Sequence, residues 1–386
     1  MSHYLDFAAT SAVRPPVVAE AMARFVLDCG ATPGRGAHAL ALEAGRTALR
    51  CRQAVLRLLG LGGDPGRVAF MQNGTHALNT ALWGTLGRGD VLVVTAYDHN
   101  AVLRPAAYLA RERGVEVRMV RGTPEGEIDY EEAGRLLKGA KLLALNSASN
   151  VLGHRLPLER LAALAREEGA LVLLDTAQGA GHFPLDCEAL GVDLVAFTGH
   201  KGMLGPQGTG GLWVRSGLDV EPLLRGGSSG DSASREMPEA LPDRLEAGTL
   251  NAPGLAGLEA GISFLLGRGV AAVHEHEARL KVRLRDGLRS MPGVTVRSPA
   301  GPGGVGIVTF TSAAVDPAEL TRRLDAEWGV QGRAGLHCAP ECHRLLGTER
   351  AGAVRLSLGW ASTEEDVDRA LEGVRSITGP TRVGPT

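Results

Sequence analysis

Residues 193–211 have the sequence DLVAFTGHKGMLGPQGTGG, in which one lysine, Lys201, lies between an apolar run and a series of glycines. The uninterrupted apolar run at 194–197 is typical of a strand buried on both faces. A charged side chain soon after such a strand lies at the carboxyl edge of a sheet, where α/β proteins bind ligands. The glycines would let another group approach the backbone closely. This stretch therefore predicts an α/β fold with a ligand site at Lys201.

Four further segments have the same apolar character: RVAF (67–70), DVLVV (90–94), KLLAL (141–145) and ALVLLD (170–175). Helical patterns separate them, for example at 158–169, where leucines recur every three residues on one face. The alternation of strand and helix predicts a mostly parallel sheet covered by helices.

The pattern changes near residue 253, where a long helical stretch (255–291) precedes short strands and helices typical of an α+β domain. We therefore predict a large domain over 15–253 and a small C-terminal domain over 254–386. Residues 1–14 are predicted to pack with the small domain. The stretch 226–242, rich in Gly, Ser and Pro, is predicted to be a mobile surface loop.

Composition and charge exclude several function classes. The formal net charge of −2 leaves no basic surplus for a phosphate backbone, so nucleic acid is not an expected partner. No apolar run reaches the roughly 18 residues needed to span a bilayer. Five scattered cysteines, an odd number, fit reduced thiols in a cytoplasmic protein better than a disulfide framework.

The glycine motifs exclude nucleotide sites and suggest one anion site. GPGGVG (301–306) formally matches a dinucleotide fingerprint, but a strand-like segment follows it, so a turn between strands is expected. No P-loop motif occurs. At 70–86, a strand runs into Asn73, Gly74 and Thr75 at a helix start, where free amides would bind an anion. The alternative there is purely structural capping.

Polar residues follow the predicted strands at His99, Asn150, Asp175 and Lys201, and a parallel sheet would gather them at one edge. These residue types fit a pyridoxal phosphate site, which needs a Schiff-base lysine, a carboxylate for the pyridine nitrogen and a helix start for the phosphate. The alternatives are structural: a surface lysine at 201, a helix cap or buried ion pair at 175, a structural histidine at 99 and a loop cap at 150.

The motifs YLDFAATSAVRP, DHNAVLRP, SNVLG, DTAQGAG, TGHKGMLGPQGTG, RLEAGTLN, RAGLHCAP and VRLSL resemble those of the cysteine desulfurase and selenocysteine lyase family. This family is part of the class V aminotransferase group of fold-type I pyridoxal phosphate enzymes. The resemblance covers nearly the whole chain and implies a large, mostly parallel seven-stranded-type sheet. It also implies a homodimer with shared active sites.

The resemblance implies a role for each matching residue. Lys201 is the Schiff-base lysine, Asp175 is the partner of the pyridine nitrogen, and His99 stacks on the ring and takes part in catalysis. Gln178 and Asn150 lie near the ring hydroxyl, although either residue could instead cap a loop. The implied phosphate ligands are Gly74, Thr75, Thr198 and His200, together with Thr249 from the second subunit.

Cys338, in GRAGLHCAPECHRLLG (332–347), matches the nucleophilic cysteine of the family, with Arg333 and an imidazole nearby to favour the thiolate. The alternatives are an inert thiol or a metal site with His337, Cys342 and His343, although that spacing fits no standard zinc site. We expect no metal.

Other residues are implied to bind the substrate. Arg355 matches the arginine that binds the substrate carboxylate, with a surface salt bridge as the alternative. Asn150 and Arg333 are expected close to the substrate. His38 has a family counterpart near the active site, but a position away from the substrate is an equal alternative.

The resemblance implies conversion of L-cysteine to L-alanine with a persulfide on Cys338, and it allows selenocysteine as a substrate and a protein as sulfur acceptor. The alternative enzyme is a pyridoxal phosphate carbon–sulfur β-lyase or another enzyme of the same group. The alternative that is not an enzyme is a non-catalytic sulfur carrier or scaffold protein with the same fold. Two positions depart from the family pattern: His76 follows Thr75, where an acidic residue is frequent, and Asp98 precedes His99, where glutamate is frequent. These departures leave the choice of substrate open.

Overall fold

The computed structural model describes residues 2–34, 36–227, 233–301 and 303–379. The strands are β1 (His3–Tyr4), β2 (Val68–Met71), β3 (Val91–Thr95), β4 (Glu116–Val120), β5 (Leu142–Asn146), β6 (Leu171–Asp175), β7 (Leu194–Thr198), β8 (Gly210–Val214), β9 (Val294–Val296), β10 (Ile307–Ser312), β11 (Val330–Gln331), β12 (Arg333–Gly335) and β13 (Ala353–Ser357). The helices are α1 (Pro16–Arg24), α2 (Ala39–Leu58), α3 (Gly74–Thr85), α4 (Asn100–Arg113), α5 (Tyr130–Leu137), α6 (Leu158–Glu167), α7 (Cys187–Leu190), α8 (Ala252–Arg268), α9 (Val270–Arg289), α10 (Pro317–Trp328), α11 (Pro340–Leu345) and α12 (Glu364–Thr378). A π-helical turn (Phe25–Cys29) and a 3₁₀ turn (Pro65–Arg67) complete these elements.

A seven-stranded sheet in the order β2-β8-β7-β6-β5-β3-β4 forms the centre of the fold. All its pairings are parallel except those of β8, which runs antiparallel to both neighbours. The predicted α/β architecture is confirmed, and the five predicted strands match observed ones to within a residue or two at each end. The sequence patterns did not predict β4, because it is a partly exposed edge strand and lacks a continuous apolar run.

The central strands are apolar throughout because both faces of the sheet are covered. In β6, Val172 and Leu174 belong to one buried apolar cluster, whereas Leu173 belongs to the cluster on the opposite face. Leu143 and Leu142 of β5 divide between the two clusters in the same way. Each strand therefore contributes to two cores, as expected for a doubly covered parallel sheet.

The C-terminal part builds an antiparallel four-stranded sheet in the order β12-β13-β10-β9. Its apolar side chains pack with those of α9, α10 and α12 in a separate buried cluster. Residues 301 and 303–306 lie between β9 and β10, so the expected turn between strands is confirmed for these residues; Pro302 lies outside the described residues. The domain boundary at 253/254 stays a prediction, since α8 packs against α1 and α2 of the large sheet layer.

The predicted helical stretch 255–291 is two helices, since Gly269 adopts φ 84° between α8 and α9. No single helix within the described ranges is long and apolar enough to cross a bilayer. Taken together, α8 and α9 have the length and composition of a membrane span, but the two helices are bent by 80° relative to each other. Of the stretch 226–242, the structure describes 226–227 and 233–242, and these residues form neither helix nor strand.

The N-terminal segment contacts both sheets. β1 pairs in parallel with β11, and Leu5 is buried in the apolar cluster of the small sheet. A few residues later, the amide and hydroxyl of Ser11 donate to the carbonyls of His200 and Lys201, each at 2.9 Å. The segment thus fixes the backbone that carries Lys201.

Candidate active site

The carboxyl ends of neighbouring strands bring the predicted residues together. Asn146 and Asp175 end β5 and β6 and are register partners, and Thr198 ends the adjacent β7. A cavity of about 550 Å³ lies at this edge. Its lining includes the predicted residues Gly74, Thr75, His99, Asn150, Asp175, Gln178, Thr198, His200 and Lys201.

Lys201 and Asp175 influence each other electrostatically within the cavity. Burial lowers the pKa of Lys201 to about 8, and Asp175 offsets part of this effect. Burial raises the pKa of Asp175, whereas the Ala177 amide, 2.9 Å from Oδ1, and the Lys201 ammonium lower it. Cys338 favours the charged form of Lys201 and Arg355 opposes it, so the thiol and the guanidinium lie within electrostatic range of the amine. A lysine pKa near neutrality suits proton transfer.

Two glycines near Lys201 are required by close packing. A Cβ atom on Gly202 would lie 2.3 Å from the carbonyl oxygen of Ala180, and one on Gly210 would lie 2.7 Å from the backbone of Asn73. Neither position has room for a side chain, because the Lys201 loop packs directly on the loop after β6 and β8 packs on the start of α3. The glycines after Lys201 thus bring three segments together at the cavity.

The start of α3 and the end of β7 form the candidate anion site. Asn73 caps α3 by accepting a hydrogen bond from the His76 amide at 2.9 Å, and Gly74 and Thr75 begin the helix against the cavity. Oγ1 of Thr198 is buried there without a hydrogen-bond partner. Nδ1 of His200 lies 3.1 Å from the hydroxyl of Thr10. A helix start and an unpaired hydroxyl together suit a phosphate group.

His99 has its tautomer fixed by its position as the N-cap of α4. Its Nδ1 accepts from the Ala101 amide at 3.0 Å, so the hydrogen of the neutral ring is on Nε2. Burial lowers the pKa of His99 to about 4, and Lys201, Arg355 and other cations act in the same direction. The ring is therefore neutral at physiological pH and presents one donor.

The residues of the cavity fit the cofactor that the sequence implies. Three buried oxygens around it have no hydrogen-bond partner among the residues that the structure describes: Oγ1 of Thr198, Oδ1 of Asn146 and Oδ1 of Asn150. Buried polar atoms without partners are costly, so their grouping at one cavity indicates a polar ligand. The set supplies a lysine amine, a carboxylate, amide oxygens and a helix start, which are the groups that pyridoxal phosphate requires.

Cys338 lies on the wall of an adjoining cavity of about 1040 Å³, which it shares with His99 and Thr75 of the first cavity. The residue is exposed and adopts φ 57°, in the left-handed region. Its carbonyl accepts from the Asn100 amide at 2.7 Å, and the preceding carbonyl of His337 accepts from Nδ2 of Asn150 at 2.6 Å. The loop is thus bonded directly to two elements of the cofactor cavity.

Arg355 is buried in β13, with only 2% of its surface exposed. One guanidinium nitrogen donates to the Asn150 carbonyl at 3.1 Å and the other to Oδ1 of Asp6 at 2.8 Å, while Nε has no partner. This burial contradicts the alternative of a surface salt bridge. Arg333 lies opposite Arg355 in the register of β12 and β13, but it is exposed.

Besides Cys338, Arg355 and Arg333, two more predicted residues do not line the cofactor cavity of their own chain. His38 is exposed and caps α2, with Nδ1 accepting from the Ala41 amide at 3.3 Å. Thr249 is exposed beside two other cavities, one of which it shares with Arg52 and Glu246. Among the residues that the structure describes, no group of three or more His, Cys, Asp or Glu side chains is arranged to hold a metal ion.

Asn146 and Asp6 are the site residues that sequence reasoning missed. Asn146 could have been found, because it ends an apolar run just as Asp175 does, and its Nδ2 donates to the Tyr97 carbonyl at 2.7 Å. No sequence pattern indicates Asp6, because its contact with Arg355 depends on the N-terminal segment crossing to β13 through a bridge to Ser357.

Comparison with known proteins agrees with this geometry. The family model for class-V aminotransferases matches residues 3–370. A probable cysteine desulfurase of Methanothermobacter thermautotrophicus is 33% identical over 97% of this chain and 94% of its own length. A cysteine desulfurase of Klebsiella pneumoniae is 34% identical over 97% and 93%. The apo cysteine desulfurase structure from Thermococcus onnurineus NA1 superposes with a TM-score of 0.92 at 32% identity, covering 98% of this chain and 95% of that one. The chain therefore belongs to the class-V aminotransferase family, in the group that contains the cysteine desulfurases.

Proposed function

We propose that the protein is a pyridoxal phosphate-dependent cysteine desulfurase, which converts L-cysteine to L-alanine and holds the sulfur as a persulfide on Cys338. The observation that carries the proposal is the position of the exposed thiol. Cys338 shares a cavity wall with His99, and His99 in turn lines the cavity that contains Lys201 and Asp175. The exposure of this thiol and its position next to the candidate cofactor cavity support the proposed role.

Residues of this chain would hold the cofactor at four points. Lys201 would bind its aldehyde carbon, Asp175 would face its ring nitrogen, and Asn150 and Gln178 would lie near its ring hydroxyl. The start of α3, Thr198 and His200 would bind its phosphate. When bound, pyridoxal phosphate acts as an electron sink that stabilises negative charge at the substrate Cα.

The protein side chains position the substrate and move its protons. Arg355 would bind the substrate carboxylate through its unpaired donor. With a pKa of about 8, the Lys201 amine is partly unprotonated at neutral pH and can accept the Cα proton. The Cys338 thiolate would attack the substrate sulfur, so that a sulfur–sulfur bond forms and the carbon–sulfur bond breaks. The bonding electrons pass to the β-carbon, which gains a proton, and return of the proton from Lys201 to Cα gives alanine.

Substituting Arg355 tests the carboxylate site. Arg355→Lys retains the charge but loses the planar fork of donors. We expect the KM for L-cysteine to rise roughly 10- to 150-fold, equivalent to about 1.5–3 kcal/mol for lost charged hydrogen bonds, with a smaller change in kcat. Steady-state kinetics provide the measurement. Arg322→Lys is the matched control, since Arg322 also presents two guanidinium nitrogens to a carboxylate, that of Glu319, on the surface of α10; an equal rise in KM for both variants would contradict the role of Arg355.

Product analysis tests the reaction itself. The enzyme loaded with pyridoxal phosphate would be incubated with L-cysteine and a reducing thiol, and alanine, pyruvate, ammonia and sulfide would be quantified. A desulfurase gives equal amounts of alanine and sulfide. Pyruvate and ammonia in place of alanine would show β-elimination and would refute the proposal. The same assay with L-selenocysteine compares the two substrates.

We also propose a homodimer in which the second subunit completes the site. Thr249 and His38 lie outside the cavity of their own chain, as expected of residues that serve a partner's site. Large apolar side chains are exposed along one segment of the N-terminal helices: Val26, Leu27, Leu40, Leu42 and Leu49. Contiguous exposed apolar surface marks interaction sites. Light scattering coupled to size exclusion should give twice the mass of the chain.

The sulfur acceptor and the cellular location are further parts of the proposal. The exposure of Cys338 would allow transfer of its sulfur to a small thiol or to an acceptor protein. The structure describes all five cysteines and pairs none of them, which fits the reducing cytoplasm.

A further inference from the structure

A chain of hydrogen-bonded side chains lies behind the Cys338 loop and takes no part in the mechanism above. Oγ1 of Thr348 lies 2.8 Å from Nδ1 of His343, and Nε2 of His343 lies 3.2 Å from Nδ1 of His337. Nε2 of His337 lies 3.4 Å from the carbonyl oxygen of Arg333 in β12. All three side chains belong to buried residues. We call Thr348, His343 and His337 the histidine relay.

Two contacts set the direction of the hydrogen bonds in the histidine relay: His337 lies against the Arg333 carbonyl, and the Thr348 hydroxyl lies closer to Nδ1 of His343, at 2.8 Å, than to the His343 carbonyl, at 3.4 Å. A carbonyl oxygen accepts and never donates, so Nε2 of His337 must carry the hydrogen that points to Arg333. The lone pair of the neutral ring is then on Nδ1, where it accepts from Nε2–H of His343. The lone pair of His343 is left on its own Nδ1, where it accepts from the Thr348 hydroxyl. The opposite tautomers would place the lone pair of His337 against the Arg333 carbonyl.

His337, the last residue of the relay, and the adjacent Cys338 both have an unfavourable backbone conformation. His337 and Cys338 adopt φ 49° and 57°, in the left-handed region that is unfavourable for residues other than glycine. Such a conformation persists only where its surroundings impose it. The carbonyl contacts from Asn150 and Asn100 restrain the backbone, and the relay restrains the side chain of His337.

We propose that His343 and Thr348 are positioning residues for Cys338: they fix the His337 imidazole as a neutral donor and thereby hold the thiol at the cavity wall. His337 consequently has no free lone pair and is not the base that deprotonates Cys338. Burial lowers the pKa of His337 to about 2, and Arg355 and His343 act in the same direction, whereas the hydrogen bond to the Arg333 carbonyl raises it; the low pKa agrees with a neutral ring. The role in catalysis rests on the proposed function, whereas the relay geometry does not.

Thr348→Val tests the proposal, because valine keeps the shape of threonine and removes the hydroxyl that begins the relay. The matched control is Thr47→Val. Thr47 and Thr348 are each 6% exposed, and the Thr47 hydroxyl donates to the Glu43 carbonyl within α2. The first measurement is the tautomer of each ring, from nitrogen spectra of the loaded enzyme labelled with ¹⁵N-histidine. The second is the rate at which iodoacetamide alkylates Cys338, located by peptide mass spectrometry. The third is kcat and KM for L-cysteine.

In the parent enzyme at pH 7, we expect both rings to be neutral with the hydrogen on Nε2. In Thr348→Val, the lone pair on Nδ1 of His343 loses its donor, so the Nδ1 signal of His343 should shift while the hydrogen stays on Nε2, and alkylation should become at least about threefold faster as the loop gains freedom. The value of kcat should fall roughly three- to tenfold, as expected for one lost hydrogen bond, with KM within about twofold of the parent. Thr348→Ser, which restores a hydroxyl, should recover the parent values.

Three results would decide against these claims. A hydrogen on Nδ1 of His337, or a doubly protonated ring at pH 7, would overturn the relay. Equal alkylation rates and kcat values for Thr348→Val and Thr47→Val would overturn the positioning role. A parent enzyme that forms pyruvate instead of alanine would refute the proposed function alone, and the spectra and alkylation rates would still judge the relay.

Discussion

Lys201→Ala is expected to reduce alanine formation by about 10³-fold or more, within the range that general acid–base groups contribute. The variant loses both the amine that binds the cofactor and the group proposed to accept the substrate Cα proton. It should also lose the absorption band of the lysine-linked cofactor. Absorbance spectra and alanine quantification provide the two measurements.

Lys281→Met is the control for this variant, since Lys281 is also buried but lies away from the cavity. Its Nζ donates to the carbonyls of Gly153 and Gly303 at 3.1 and 2.7 Å. We expect this control to lose about 1–3 kcal/mol of stability from the unsatisfied carbonyls and to retain the absorption band. Retention of the band and the activity in Lys201→Ala would contradict the assignment of the cofactor lysine.

Cys338→Ser is expected to reduce sulfur release by up to about 10⁶-fold, the scale seen when a catalytic nucleophile is removed. A serine hydroxyl remains protonated at neutral pH and cannot attack the substrate sulfur as a thiolate does. The absorption band of the cofactor should remain, because Cys338 contributes to a different cavity wall. Sulfide assay and absorbance spectra separate the two effects.

The matched control is Cys29→Ser, because Cys29 is the other cysteine that is not buried. Its thiol bonds to the Leu40 carbonyl at 3.3 Å, away from the cavity. We expect parent activity in this control. An unchanged desulfurase rate in Cys338→Ser would show that sulfur leaves without this nucleophile and would favour β-elimination.

The strands and the residues that follow them were predictable because they depend on local pattern. An apolar run ending in Asp175 or followed by Lys201 places a polar group at the carboxyl edge of a parallel sheet whatever the rest of the chain does. Nine predicted residues line one cavity for this reason. The same argument could have predicted Asn146, which ends the apolar run of β5.

Contacts between distant segments were not predictable in the same way. The ion pair of Asp6 with Arg355 joins residues 349 positions apart. The hydrogen bond from Asn150 to the His337 carbonyl in the Cys338 loop joins residues 187 positions apart. The break at Gly269 also depends on packing, because a glycine continues or ends a helix according to the layers on either side.

The sequence alone predicted the α/β class and five of the seven strands of the large sheet, and it proposed the lysine, carboxylate and thiol, since burial on both faces and residue chemistry are properties of short segments. Only the tertiary structure decided which nitrogen of His337 and His99 carries hydrogen and why Cys338 adopts a left-handed conformation. It also decided what lies against Arg355. These properties depend on hydrogen-bond partners from other parts of the chain, which come together only when the two sheets pack.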